Sequence, residues 1–488
     1  MQQLSGLDNS FLVMEAGGQL GHVGSLSFFD KKGLGKKRFH EVLRQTLEDR
    51  LHLLGPYRRR LVEVPLELDR PFWIEDPNFD MDFHFRHIAV PEPGDDEQLA
   101  ALVSRIHARA LDRSKPLWEA YVIDGLANGR VALYTKIHHC TIDGVSGAQM
   151  TQVLLDQDPK GDPIPRPERE WVPDEIPGTN EMIARGVAGL VSQPGKFART
   201  AYRTVRGVWE SNDALSSVAR SAGLDRVADL LRPDGPQVDA DPIPQTPAPR
   251  TPFNKSITPH RRFAFFSMSL DRFKRVKNAF GVTLNDTVMA VSGGALRDYL
   301  DEIGELPEDP LVAMVPVSVR TEDEQNEYAN RVSSILGELA TDEPDPAKRI
   351  RRINTAMKEA KRMQQAMPAT LLTDWTEVAT PLLLAQAARI AARTKILDRM
   401  NPPFNVIISN VPGPRESLYC GGAEMETYYP VSAVAEGQGL NITVVSYRDH
   451  LDFGVISCRE LVPDVWKFKD LFAGSLEALE KAAENVAP

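Results

Sequence analysis

His138-His139-Cys140-Thr141-Ile142-Asp143-Gly144 lies between two stretches of opposite periodicity, and the reading of the chain starts from that placement. Before it runs Val131-Ala132-Leu133-Tyr134-Thr135-Lys136-Ile137, whose apolar residues alternate as in a β-strand. After it, Val145 to Leu155 reads as a helix. The two histidines therefore close a strand, and Asp143-Gly144 turns the chain into a helix, in positions that suit an N-cap and a tight turn. Adjacent strand residues point to opposite faces, so only one histidine can face a given cavity. An imidazole titrates near pH ~6.5, which suits it to take a proton from a weak nucleophile at neutral pH. Zinc fits poorly: the side chains diverge, no cysteine pair flanks them, and His-x-x-x-His spacing is missing.

Outward from the motif, the first 160 residues alternate strand-like runs (23–29, 83–90) with helix-like ones (37–51, 98–111), as in a mixed α/β domain. Residues 158–177 and 233–259 are rich in proline, the composition of extended linkers, and bracket a helical island at about 181–232. A second α/β region follows, with strands expected at 263–270, 311–319, 404–409, 439–447 and 451–458 and helices at 284–300 and 464–483. The division is therefore 1–160, a crossover 161–258, and 259–488. A 488-residue chain with 42% hydrophobic residues can bury a sizeable core. A net charge of −11 argues against nucleic acid as a partner. Three scattered cysteines make neither a disulfide framework nor a zinc site. No stretch at the start reads as a signal peptide, and no apolar run reaches the ~18–20 residues that span a bilayer, the longest, 381–388, ending at Arg389. The expectation is a cytoplasmic protein whose membrane contact is peripheral. Between Met182 and Trp209 there are five basic residues and no acidic ones. Lys196, Arg199, Arg203 and Arg206 share one helical face, and Phe197, Ala201, Val205 and Val208 the other, a pattern of helices that lie on anionic membranes and also of ordinary surface helices.

His-His-x-x-x-Asp-Gly resembles the signature of the CoA-dependent acyltransferase superfamily, whose fold is like that of chloramphenicol acetyltransferase. Within it the chain is similar to the bacterial wax ester synthase/diacylglycerol acyltransferase family. The resemblance extends over Leu4-Ser5-Gly6-Leu7-Asp8, Pro71-Phe72-Trp73, Asp80-Met81-Asp82-Phe83-His84 and Pro91-Glu92-Pro93-Gly94. It continues through Leu111-Asp112-Arg113-Ser114-Lys115-Pro116-Leu117-Trp118-Glu119, Leu284-Asn285-Asp286-Thr287, Val315-Pro316-Val317-Ser318-Val319-Arg320 and Asn410-Val411-Pro412-Gly413-Pro414. One departure is Ala329-Asn330, where the family often has Gly-Asn.

The resemblance implies an α/β fold of two chloramphenicol-acetyltransferase-like subdomains with the active-site tunnel between them. It implies transfer of a long-chain acyl group from acyl-CoA to a diacylglycerol, a fatty alcohol or both, with no cofactor and no metal. His139 is then the general base, His138 supports the strand end, and Asp143 is an orienting residue paired with a basic side chain, beside Gly144. Asn285 and Asp286 belong to the site by the same resemblance, with Asn285 a donor to the oxyanion, and both are also good helix-cap residues. Pro116, Leu117 and Trp118 line a substrate channel by resemblance, although a tryptophan there also suits core packing. Asn410 and Gly413 help shape the site wall, in a segment that reads locally as a turn after a buried strand. Cys140 stands where the motif varies, and a buried cysteine behaves mostly as a small hydrophobe rather than a nucleophile. Expected partners are acyl-CoA, a lipophilic alcohol and a membrane or lipid-droplet surface. Two rival readings are a condensation-type or polyketide-tailoring acyltransferase fed by a carrier-protein thioester, and an inactive lipid-surface protein.

Overall fold

The computed structural model describes residues 1–142, 144–167, 171–189, 248–318, 332–366, 389 and 394–486. Two six-stranded mixed sheets dominate it. In spatial order the first is β12 (Tyr419–Cys420), β13 (Ala423–Val431), β2 (His22–Asp30), β7 (Val131–His138), β6 (Trp118–Asp124) and β5 (Phe85–Ala89). The second is β10 (Val332–Glu338), β9 (Val312–Ser318), β11 (Val406–Pro412), β14 (Leu440–Tyr447), β15 (His450–Cys458) and β8 (Arg261–Ser269). A small sheet places β4 (Phe72–Glu75) between β1 (Gln2–Gln3) and β3 (Arg59–Val62).

Local signals account for the helices that position the site. In α1 (Gly6–Val13) the Ser5 hydroxyl accepts the Asp8 N–H at 3.0 Å and donates to the Asp8 carboxylate at 2.6 Å, which starts the helix inside the Leu-Ser-Gly-Leu-Asp motif. On the first sheet lie α2 (Phe39–Arg50), the single turn α3 (Met81–His84) and α4 (Asp96–His107). An Asp95/Gln98 capping box starts α4 two residues before the 98–111 expected from periodicity, and Ala108 caps its end. The motif leads into α5 (Gly144–Leu154). In the second half, Gly281 adopts φ +65° to end α6 (Leu270–Phe280), and a Thr283/Asp286 box then opens α7 (Leu284–Glu302). Helices α8 (Pro346–Ala366) and α9 (Lys467–Glu484) complete the layer.

Side chains alternate along β7. Val131, Leu133 and Ile137 face a core shared with α2 and α5, while Ala132 and Tyr134 face a core that includes Leu99 and Val103 of α4. That second core also holds Phe263 and Phe265 of β8 and Ile456 of β15, so α4 is shared by both sheets. A third core gathers α6, α7, α8 and α9 on the second sheet.

The halves are interlocked. β13 lies far along the chain, yet it pairs antiparallel with β2, Tyr428 opposite Ser27. Asp452 of β15, fully buried, accepts the Ser267 hydroxyl at 2.5 Å and the backbone N–H of Tyr428 in β13 at 2.6 Å. This carboxylate joins the sheets, and its hydrogen bonds offset the cost of burying it. The basic face expected at 196–209, the apolar run 381–388 and Ala329-Asn330 lie outside the described residues.

Candidate active site

His138 is the last residue of β7, opposite His22 of β2, and its side chain is buried. The Cys140 N–H donates to its Nδ1 at 3.1 Å, so the ring hydrogen sits on Nε2 and points at Glu15 Oε1, 3.2 Å away. Glu15 also accepts from Gly21 N–H at 2.7 Å and from Arg113 Nη2 at 2.7 Å. Burial opposes ionisation of Glu15, but the hydrogen bonds it accepts from His138, Arg113 and Gly21 hold its carboxyl down at about 2. Gly21 is required by the close approach, because a Cβ there would come 2.7 Å from His138 Nε2.

His139 lies just past the strand and is half-buried. Its N–H donates to Gly21 O at 2.8 Å, and its ring stacks on Phe11 of α1, centroids 4.1 Å apart and planes 16° from parallel. Helix α1 therefore supplies the stacking ring for one histidine, and the residues after it supply the carboxylate for the other.

The second half secures that loop. Arg261, buried, donates to Gly18 O, and Gln19 accepts the Glu436 N–H at 3.0 Å. On the α4 side, Lys136 of β7 donates to Ile106 O at 3.2 Å and Arg109 O at 2.6 Å, closing the end of α4 and setting where the segment carrying Arg113 departs. Burial pulls the Lys136 pKa down.

Cys140 is buried with Leu4, Leu12, Leu61, Leu111 and Leu117, and burial pushes its thiol well above the usual range. The Pro116-Leu117-Trp118 segment runs beside the motif: the Leu117 carbonyl accepts the His138 N–H at 2.9 Å. Trp118, 1% exposed, sits between Tyr57 and His84 at 4.3 and 4.5 Å and donates from Nε1 to Tyr57 O at 2.8 Å. His84, at the end of α3, extends the stack to Phe79. Leu117 is likewise buried, and Pro116 bridges to Arg60.

From the second half, Asn285 is half-buried in the first turn of α7. Asp286 accepts the Thr283 N–H at 2.9 Å and the Asn354 amide of α8 at 2.7 Å, which fixes that turn. Asn410 lies on β11 opposite Val444. Gly413 N–H reaches Ser446 Oγ at 3.2 Å, and a Cβ there would meet Ser446 O at 2.3 Å. β11 is touched both by α5, which follows the histidines, and by α7, whose first turn carries Asn285. Gly144 begins α5, while Asp143 lies outside the described residues.

Sequence reasoning missed Glu15. Its only signal is a lone acid between an apolar helix end and the glycines Gly17, Gly18 and Gly21. Arg113 stood inside a motif already singled out, but its partner was not legible.

Two interlocked α/β halves with paired histidines closing a central strand define a CoA-dependent acyltransferase architecture. Within that class, the chain belongs to the wax ester synthase/diacylglycerol acyltransferase family: the family's catalytic domain matches residues 4–288 and its C-terminal domain residues 328–480. It is an acyltransferase. A Mycobacterium tuberculosis protein carrying a diacylglycerol O-acyltransferase name is 38% identical, over 98% of this chain and 99% of its own. The O-acyltransferase WSD of Acinetobacter baylyi is 34% identical, over 95% and 93% respectively. The wax ester synthase/diacylglycerol acyltransferase from Marinobacter aquaeolei VT8 superposes with a TM-score of 0.69 at 31% identity, covering 99% of this chain and 100% of that one. The first condensation domain of the calcium-dependent antibiotic synthetase shares the fold alone, with a TM-score of 0.58 at 16% identity over 100% and 98% of the two chains.

Proposed function

We propose that the chain transfers a long-chain acyl group from acyl-CoA to a diacylglycerol, a fatty alcohol or both, with His139 as general base. The observation that carries this reading is the division between the two histidines. His138 has both ring nitrogens committed, to Cys140 N–H and to Glu15. His139 leaves the strand half-buried, its ring held against Phe11.

In the proposed step the acceptor hydroxyl loses its proton to His139 as its oxygen attacks the thioester carbonyl. Asn285 and the N-terminal N–H groups of α7 are candidate donors to the resulting oxyanion. Collapse breaks the carbon–sulfur bond, and the proton returns from His139 to the departing CoA thiolate. Asp143 keeps its orienting role in this reading. No metal, redox group or covalent acyl-enzyme takes part, and the substrates meet in a tunnel between the halves. The high thiol pKa of Cys140 weighs against it as a nucleophile.

Among the described residues no helix is long and apolar enough to cross a membrane. Access to lipid acceptors is proposed to come through peripheral contact by 196–209.

The test is incubation of the purified chain with labelled palmitoyl-CoA and either hexadecanol or dioleoylglycerol, resolving the lipid products. Wax ester or triacylglycerol is the expected product. Turnover with a pantetheinyl carrier thioester but not with acyl-CoA would move the chain to the condensation-type reading, and no turnover with any donor to the inactive one.

A further inference from the structure

At the far end of the first sheet from the motif, three residues converge that acyl transfer does not use. His40 is the second residue of α2, His87 is in the middle of β5, and Asp124 ends β6. Their meeting follows from the sheet. β5 runs parallel to β6 with Ala89 opposite Asp124. His87 lies on the same face as Phe85, and Asp124 on the same face as Ala120 and Val122, the face that α2 covers with Phe39, Leu43 and Leu47. His87 Nε2 is 2.7 Å from Asp124 Oδ2. The rings of His40 and His87 stack with centroids 3.9 Å apart. One donor atom from each of the three lies within 4.8 Å of the others.

We propose that His40, His87 and Asp124 form a binding site for a borderline divalent cation of the zinc or nickel class, which clasps α2 to the edge of the first sheet. Two imidazoles and a carboxylate are a donor set for such an ion, with water filling the remaining positions. Metal–ligand bonds of about 2.0–2.2 Å require the donors to draw closer than they stand, and to converge on one point. The side chains have room to do so, since His87 and Asp124 are 39% and 36% exposed and His40 is half-exposed at a helix start. Binding shifts the His87 hydrogen from Nε2 to Nδ1, so Nε2 exchanges its hydrogen bond to Asp124 for the metal.

Two cations oppose the ion. Lys31 Nζ stands 3.7 Å from Asp124 Oδ1, on an exposed side chain that can swing away, and Arg38, two residues before His40 and also exposed, is drawn off by Glu41 at 2.9 Å. β5 is an edge strand with one sheet neighbour, so a cation joining it to α2 and β6 would tie down that edge. Asp124 stands six residues along β6 from Trp118, about 20 Å in a strand, which separates the ion from the chemistry.

The experiment is calorimetric titration of zinc into metal-stripped, tag-free full-length protein, alongside H40Q, H87Q and the double variant, with melting followed in parallel. The expected result is saturable binding in the wild type that the double variant lacks, and a zinc-dependent rise in melting temperature only where binding survives. K31A is expected to tighten binding severalfold by removing the competing ammonium. Acyl transfer should be unchanged in all four variants. Equal zinc binding by wild type and the double variant overturns the proposal, as does binding that leaves the melting temperature unmoved.

Discussion

Glu15 is the residue on which the geometry of the motif depends most, and its replacement makes a quantitative test. In the folded chain its carboxyl is held down at about 2 against an ordinary value of 4.5, and its side chain is only 12% exposed. A difference of about 2.5 pH units at about 1.4 kcal/mol each corresponds to roughly 3.5 kcal/mol of stability. The sign follows from the direction. A folded-state pKa lowered below the unfolded one contributes fully above the unfolded value and is lost as pH falls from about 4.5 toward 2.

Glu15→Gln keeps an acceptor for His138 but turns an amide toward Arg113. It should cost up to about 3.5 kcal/mol at neutral pH. Glu15→Ala also leaves the buried His138 ring and the Gly21 N–H without their acceptor and should cost more than Glu15→Gln. Because misplacement of a catalytic group by about 1 Å can cost about a hundredfold, kcat should fall ten- to a hundredfold in Glu15→Gln, with KM for acyl-CoA little changed. Urea unfolding from pH 7 to pH 3 measures the first quantity, and thiol release from acyl-CoA the second. A stability gap between wild type and Glu15→Gln that stays constant as pH falls refutes the low-pKa carboxylate. Wild-type kcat in a folded Glu15→Gln refutes its part in positioning the histidines.

His139→Ala should abolish thiol release with near-native melting, whereas His138→Ala, which frees Glu15 and Cys140 N–H inside the protein, should lose less rate and more stability; appreciable thiol release by His139→Ala rejects it as the base. Cys140→Ala should remain active, and mass spectrometry after mixing the wild type with acyl-CoA alone should show no adduct; a stable acyl group on Cys140 would replace direct transfer with a covalent mechanism. Changing Lys196, Arg199, Arg203 and Arg206 to Glu should abolish flotation with anionic liposomes, since each basic residue near such a surface contributes about 1 kcal/mol, and salt should weaken wild-type binding for the same reason; equal flotation of the folded variant makes 196–209 an ordinary surface helix.

The sequence by itself determined what depends on neighbours along the chain. The alternation before His138 and the helical run after Gly144 place the motif at the end of β7, because both signals are periodic over a few residues. The resemblance of many short motifs identified the family that the domain matches show. Ser5 with Asp8 and Thr283 with Asp286 start helices through bonds three residues long, so those motifs carry their own local structure. Tertiary structure decided the rest. β13 carries a bulge between Met425 and Thr427 and ends in Pro430-Val431, and its place beside β2 is set by pairing across the chain and by Asp452. Glu15 is one more acid in the sequence until α1, Arg113 and Gly21 converge on it. His40, His87 and Asp124 carry no common spacing, and only the parallel pairing of β5 with β6 under α2 brings them together. Burial, hydrogen-bond partners and shifted pKa values depend on what packs from distant segments, whereas propensity and capping act within a turn of helix or a few residues of strand.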